Sequence, residues 1–185
     1  MNKDILNYIF NKCHIKCIDK VALISGNLNI KHSEIYQKKS IILEKNISLN
    51  GKMNFAIREK YIDLIELLIE KGADEWNKGM CDASKCGHKD LVEFFIEKGA
   101  NNWNNAMYTA SQGGHKDLVD FFIEKGATDW NTGMTSATAG NHKDLVEFFI
   151  EKGATDWNIG MQCASVYGHT DLVNFFQKKI DENNH

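Results

Sequence analysis

Four histidines return at a fixed interval: His88, His115, His142 and His169 stand 27 residues apart. A row of imidazoles is the raw material of a metal centre or a pH switch. Zinc, however, holds its ligands at about 2 Å, and elements packed side by side lie roughly 8–10 Å apart. One ring per element leaves the rings too far apart to share an ion. The spacing points instead to a His that orders the turn before each of several helices. Cys13-His14-Ile15-Lys16-Cys17 offers three candidate ligands, but a closed zinc site takes four and no second cluster supplies the rest. Cys86-Gly87-His88 sets a thiol beside a base, the elements of covalent catalysis. Matching stretches carry Gly113, Gly140 or Tyr167 where Cys86 stands, so the pair is not a repeated device. Trp76, Trp103, Trp130 and Trp157 could stack nucleic-acid bases. That use needs a basic groove, and the chain beyond residue 52 holds 13 basic against 21 acidic residues. A Trp kept at one repeat position reads as packing. No Gly-rich phosphate loop and no paired-carboxylate cleft is visible. The sequence thus predicts no catalytic residue, no metal, no cofactor and no enzymatic role.

The elements that carry these residues repeat. Asp63, Asp90, Asp117, Asp144 and Asp171 keep the 27-residue interval, and so do Met53, Met80, Met107, Met134 and Met161. Five repeats follow, at 53–79, 80–106, 107–133, 134–160 and 161–185, behind a non-repeat segment at 1–52. Each repeat reads as two helices. The first opens at the Asn-x-Gly-Met step, with Asn131 or its equivalent as N-cap. Met134, Ala137 and Thr138 lie at i, i+3 and i+4, a narrow face of small residues that lets a neighbouring helix come close. Gly114 and its equivalents end it. The second helix starts near His115-Lys116-Asp117, with Asp117 at its positive end, Lys125 at its negative end and Gly126 as the left-handed stop. Leu118, Val119, Phe121, Phe122 and Ile123 leave it little polar surface, so it is expected to be sandwiched between neighbours. No repeat buries five such side chains alone, so the repeats must stack.

Composition agrees. The 185 residues include no proline, 43% hydrophobic and 25% charged residues, and a formal net charge of −3. That balance suits a helix-rich soluble domain. Residues 1–52 hold nine Lys and four acids, net +5, against −8 for the remainder. No run of 18 apolar residues crosses a membrane, and the N-terminus lacks the apolar core of a secretory signal. Five cysteines without framework spacing read as reduced thiols in a cytosolic or nuclear compartment.

Gly87-His88, Leu91-Val92 and Gly99-Ala100, repeated in register through residue 154, resemble the second half of an ankyrin repeat. The resemblance spans about 130 of the 185 residues. An ankyrin unit has 33 residues and a Thr-Pro-Leu-His turn. Here the unit is shorter and that turn is gone, so the β-hairpin finger is expected to be missing, with the Trp-Asn pair bridging the gap. This short form is similar to arrays encoded by large DNA viruses of protists. The resemblance implies an all-α, ankyrin-like helix-turn-helix solenoid of five helix pairs with an N-terminal helical cap. It further implies a scaffold that binds a protein, commonly a host factor, in the cytoplasm. Asp4-Ile5-Leu6-Asn7-Tyr8-Ile9-Phe10, followed by Ile18, Val21, Ala22, Leu23 and Ile24, loosely resembles an F-box without its Leu-Pro opening. That likeness would make the chain a substrate adaptor of a cullin ubiquitin ligase; the simpler reading is a cap over the first repeat.

Positions identical in every repeat serve stacking, and positions that differ are available to a partner. The varying residues fall on the first helix and its flank: Asp82, Lys85, Tyr108, Thr109, Gln112, Thr135, Ser136, Gln162, Cys163, Val166 and Tyr167. Successive repeats should align them on one face, the side that the ankyrin resemblance assigns to protein binding. No nucleic acid and no membrane is expected as partner. A self-assembling structural component is the other alternative. Gln177 and Asp181-Glu-Asn-Asn-His185 make the last repeat a polar end, which favours a monomer.

Overall fold

The protein is described by a computed structural model covering residues 48–183. The F-box-like stretch and the Cys13–Cys17 cluster lie outside the described residues. Among those described there are ten helices and no strand. The expected all-α helix-turn-helix architecture is present as five helix pairs, divided between two compact units that meet in sequence at Asp74 and Glu75.

In the first unit, α1 (Leu49–Arg58) and α2 (Ile62–Glu70) form a helical hairpin. The Ser48 hydroxyl caps α1 by accepting from the Gly51 N–H at 3.1 Å. Met53, Ala56 and Ile57 of α1 and Leu64, Ile65, Leu67 and Leu68 of α2 are buried.

The second unit contains α3 (Trp76–Lys85), α4 (Lys89–Glu97), α5 (Trp103–Gly113), α6 (Lys116–Glu124), α7 (Trp130–Ala139), α8 (Lys143–Glu151), α9 (Trp157–Val166) and α10 (Thr170–Asn183). Odd-numbered helices are the first of each pair. They begin at the Trp, four residues ahead of the Met, and not at the Asn-x-Gly-Met step. The cap is the residue before the Trp: Asn102 Oδ1 accepts from the Asn105 N–H at 3.2 Å, and Asp129 Oδ1 from the Thr132 N–H at 3.1 Å. Asn131 therefore lies inside the first turn and has another task. The small face is buried as expected, with Met134, Ala137 and Thr138 fully covered. The Ser84, Ser111 and Thr138 hydroxyls donate to the carbonyls of Met80, Met107 and Met134 at 2.7, 2.7 and 2.8 Å. Satisfied within their own helix, they leave a flat surface for the next one. The first helices stack on one another, α3 on α5, α5 on α7 and α7 on α9, and each holds its own second helix.

The second helices start and stop where the sequence places them. His115 precedes α6, Asp117 lies in its first turn, and Gly126 follows the Lys125 cap at φ +105°. The expected sandwich is corrected. Leu118, Val119 and Phe122 are buried, but Phe121 and Ile123 are only half-buried. The close stack runs through the small first helices, so one side of each second helix faces outward. Lysines cover its aromatic rings: Lys116 Nζ lies 3.8 Å from the Phe148 centroid, and Lys152 lies 5.4 Å from the same ring. Helix α10 has 14 residues against nine in α8. Ile180 occupies the position of Gly99, Gly126 and Gly153, so no left-handed residue stops it.

Candidate partner-binding surface

Two recurring hydrogen-bond joints set the register between repeats of the second unit. The Asn after each Trp forms the first. Asn77 Oδ1 accepts from the backbone N–H groups of Asn101 and Asn102 at 2.8 and 2.9 Å. Asn104 does the same for Thr128 and Asp129 at 2.9 and 3.2 Å, and Asn131 for Thr155 and Asp156 at 2.8 and 3.1 Å. Each amide thus holds the chain just ahead of the next repeat's first helix.

The histidine ladder forms the second joint. His115 Nε2 lies 3.1 Å from the Lys85 carbonyl, His142 Nε2 3.2 Å from that of Gln112, and His169 Nε2 3.2 Å from that of Ala139. A carbonyl only accepts, so the ring proton sits on Nε2. At the first two joints glycine makes room, since a Cβ on Gly113 or Gly140 would run into the same carbonyl and the same ring; the third forms with Tyr167 at that position. Each His orders a turn, as expected, and also ties that turn to the preceding repeat. His88 Nε2 is buried with no hydrogen-bond partner among the described residues.

The candidate residues of the first-helix face divide into two groups. Lys85, Tyr108, Gln162, Val166 and Tyr167 are exposed. Asp82, Gln112 and Thr135 are half-buried. Ser136 is 2% exposed, and its hydroxyl donates to the Thr132 carbonyl at 2.7 Å. It is withdrawn from the surface, because its position on the helix turns toward the stack. Thr109 and Cys163 share that helical position and are half-buried. Thr109 is hydrogen-bonded to Cys81, and the Cys163 thiol donates to the Thr135 carbonyl at 3.5 Å. These side chains join repeats. Burial, above all, pushes the Cys81 thiol up to about 11; the Thr109 hydrogen bond lowers it and the Asp82 carboxylate adds to the rise. Burial raises the Cys163 thiol as well. Neither is a poised nucleophile.

What remains is a face without charge over most of its length. Helices α5, α7 and α9 contain no Asp, Glu, Lys or Arg, whereas α3 carries Lys78, Asp82 and Lys85. The charge of the later repeats lies on the second helices and the links. The tryptophans are half-buried where each first helix begins, and Trp157 Nε1 donates to the Ala154 carbonyl at 2.9 Å. They are packing residues, not a stacking platform.

Sequence reasoning missed two features. The Asn after the Trp, expected as a cap, accepts from the next repeat instead, and its presence in every Trp-bearing repeat marks that structural duty. Ile159 stands where Lys78, Asn105 and Thr132 are exposed, and is itself 51% exposed. With Val166 at 81% and Tyr167 at 56%, it makes the last first helix apolar. The expected polar end is therefore correct for α10, where Gln177 is exposed, and incorrect for α9. The signal was in the sequence, as three apolar residues at positions that are polar or small elsewhere.

A family model described as ankyrin repeats (3 copies) matches residues 53–134 and 80–160. No curated protein matches the chain. Ankyrin repeats are generally protein–protein interaction modules, typically non-enzymatic scaffolds. The matched residues cover more than half of the sequence, and the chain belongs to the ankyrin repeat family.

Proposed function

We propose that this chain binds a protein partner through the first-helix face of its repeats, centred on Tyr108, Gln112, Thr135 and Gln162. The observation that carries the reading is the absence of charge from α5, α7 and α9. The buried centres of protein interfaces are depleted in charge and enriched in Tyr, and Tyr108 is exposed on α5, the first helix of this row. The short 27-residue unit supports it too. With only five residues, 98–102, between α4 and α5, nothing long intervenes between the repeats. The likeness of such units to arrays of large DNA viruses supports a host-cell protein as the partner, met in the cytoplasm.

The test is affinity capture from protist-host lysate, read by mass spectrometry. The wild-type chain is compared with a Tyr108→Ala/Gln112→Lys/Gln162→Lys variant. The expected outcome is a partner held by the wild type and lost by the variant. Capture should change little with salt, because the contact is uncharged. A partner that the triple variant retains, or one lost on raising the salt alone, overturns the reading.

A further inference from the structure

We propose that two copies of this chain associate through α9, each presenting the same uncharged face to the other. The inference does not rest on the partner-binding reading, since it needs no second protein. Three of the five large apolar side chains exposed among the described residues lie on α9 or at its end: Ile159, Val166 and Tyr167. Earlier repeats place Lys78, Asn105 and Thr132 at the position of Ile159, and Lys85, Gln112 and Ala139 at that of Val166. Apolar character at these positions is thus specific to α9.

The same face continues an interface that the chain already uses. Met80, Met107 and Met134, like Ser84, Ser111 and Thr138, are fully covered at each internal boundary. Their counterparts on α9 are not: Met161 is half-buried and Ser165 exposed. Asn158, unlike Asn77, Asn104 and Asn131, meets no backbone N–H group among the described residues. A stacking surface is therefore left open, flanked by exposed apolar side chains.

Charge selects the occupant. The chain carries a net −3, so two copies repel except where the contact is neutral, and α9 has no ionisable residue other than Cys163. Residues 1–52, at net +5, find no charge to complement on this helix. A C2 contact places one patch on itself and closes at two copies. Two short helices offer a footprint of roughly 300 Å² (about 15 Å by 20 Å), well below the ~800 Å² per partner of standard interfaces. Association is accordingly weak and depends on protein concentration.

The experiment is sedimentation velocity with light scattering on the full chain, from low micromolar to submillimolar protein. The expected mass rises from one chain to two and stops there. Ile159→Glu/Val166→Glu should hold the chain at one copy throughout, with unchanged circular dichroism. Asn105→Glu/Gln112→Glu, the equivalent positions on α5, should leave the rise intact. A single copy at every concentration, growth beyond two, or a dimer indifferent to the α9 substitutions overturns the proposal.

Discussion

An amide oxygen that accepts two backbone N–H groups from the next repeat does more than a helix cap would. It fixes both the direction and the spacing of the incoming chain. Asn131→Ala removes both bonds at once, to Thr155 and Asp156. Exposed neutral bonds contribute modestly, so the expected loss is about 1–2 kcal/mol, read as a lowered urea midpoint. Asn158 supplies an internal control, because it meets no backbone N–H group among the described residues. Asn158→Ala should change stability by less than about 0.5 kcal/mol. Equal losses at the two positions would mean that the side chain acts within its own helix. The thiol of Cys81 is a second residue-scale case. Burial raises it from 9.0 to about 11, so the thiolate is scarce near neutrality and keeps growing well into alkaline solution. Alkylation of Cys81, followed peptide by peptide, should still be accelerating at about pH 10, where an ordinary thiol has levelled off. A plateau already reached by about pH 10 would show a solvated thiol with no tie to the neighbouring repeat.

At the scale of the element, the glycines of the repeat serve different ends. Gly126 has φ +105°, and a Cβ there would meet nothing within 4 Å. Only backbone strain opposes Gly126→Ala, and the expected cost is about 1–2 kcal/mol with no change in side-chain packing. Thermal or urea unfolding checks it; a neutral result would mean that the turn relaxes at no cost. Gly133 is helical, and a Cβ there would come within 2.6 Å of the Phe149 ring. The second repeat nevertheless carries buried Ala106 at this position, so the ring opposite can shift. Helix identity, the left-handed stops and the small stacking face were all legible, because they depend on residues three or four apart or on one special φ. The joints were not. Asn131 and His142 act on backbone groups 24 and 30 residues away, and a regular repeat is equally compatible with a purely local role. Ser136 was misplaced for a related reason. Variation between repeats marks a position as unconstrained by identity, but burial depends on the helix phase relative to its neighbours. The helix starts two residues earlier than expected, at the Trp, with Asp129 and not Asn131 as its cap.

Across the second unit, the main contacts between repeats run from each first helix to the next. Stability in such a stack is a sum of repeat and boundary contributions. Position along the stack should then matter more than residue type. Phe122 on α6 and Phe176 on α10 are equivalent and both fully buried. Truncating either to Ala opens a cavity worth about 3–5 kcal/mol. Phe122→Ala weakens a repeat that supports neighbours on both sides, so amide protection should fall in α5 and α6 and spread to α3 and α7. Phe176→Ala weakens a pair that has a described neighbour on one side, through α7, and faster exchange should be confined to α9 and α10 while α5 and α6 keep their protection. Native-state hydrogen exchange by mass spectrometry separates the two patterns. Were Phe176→Ala to release every helix from α3 to α10 equally, the unit would be folding all-or-none, and the joints made by Asn131 and His142 would be transmitting stability along the entire stack instead of to one neighbour.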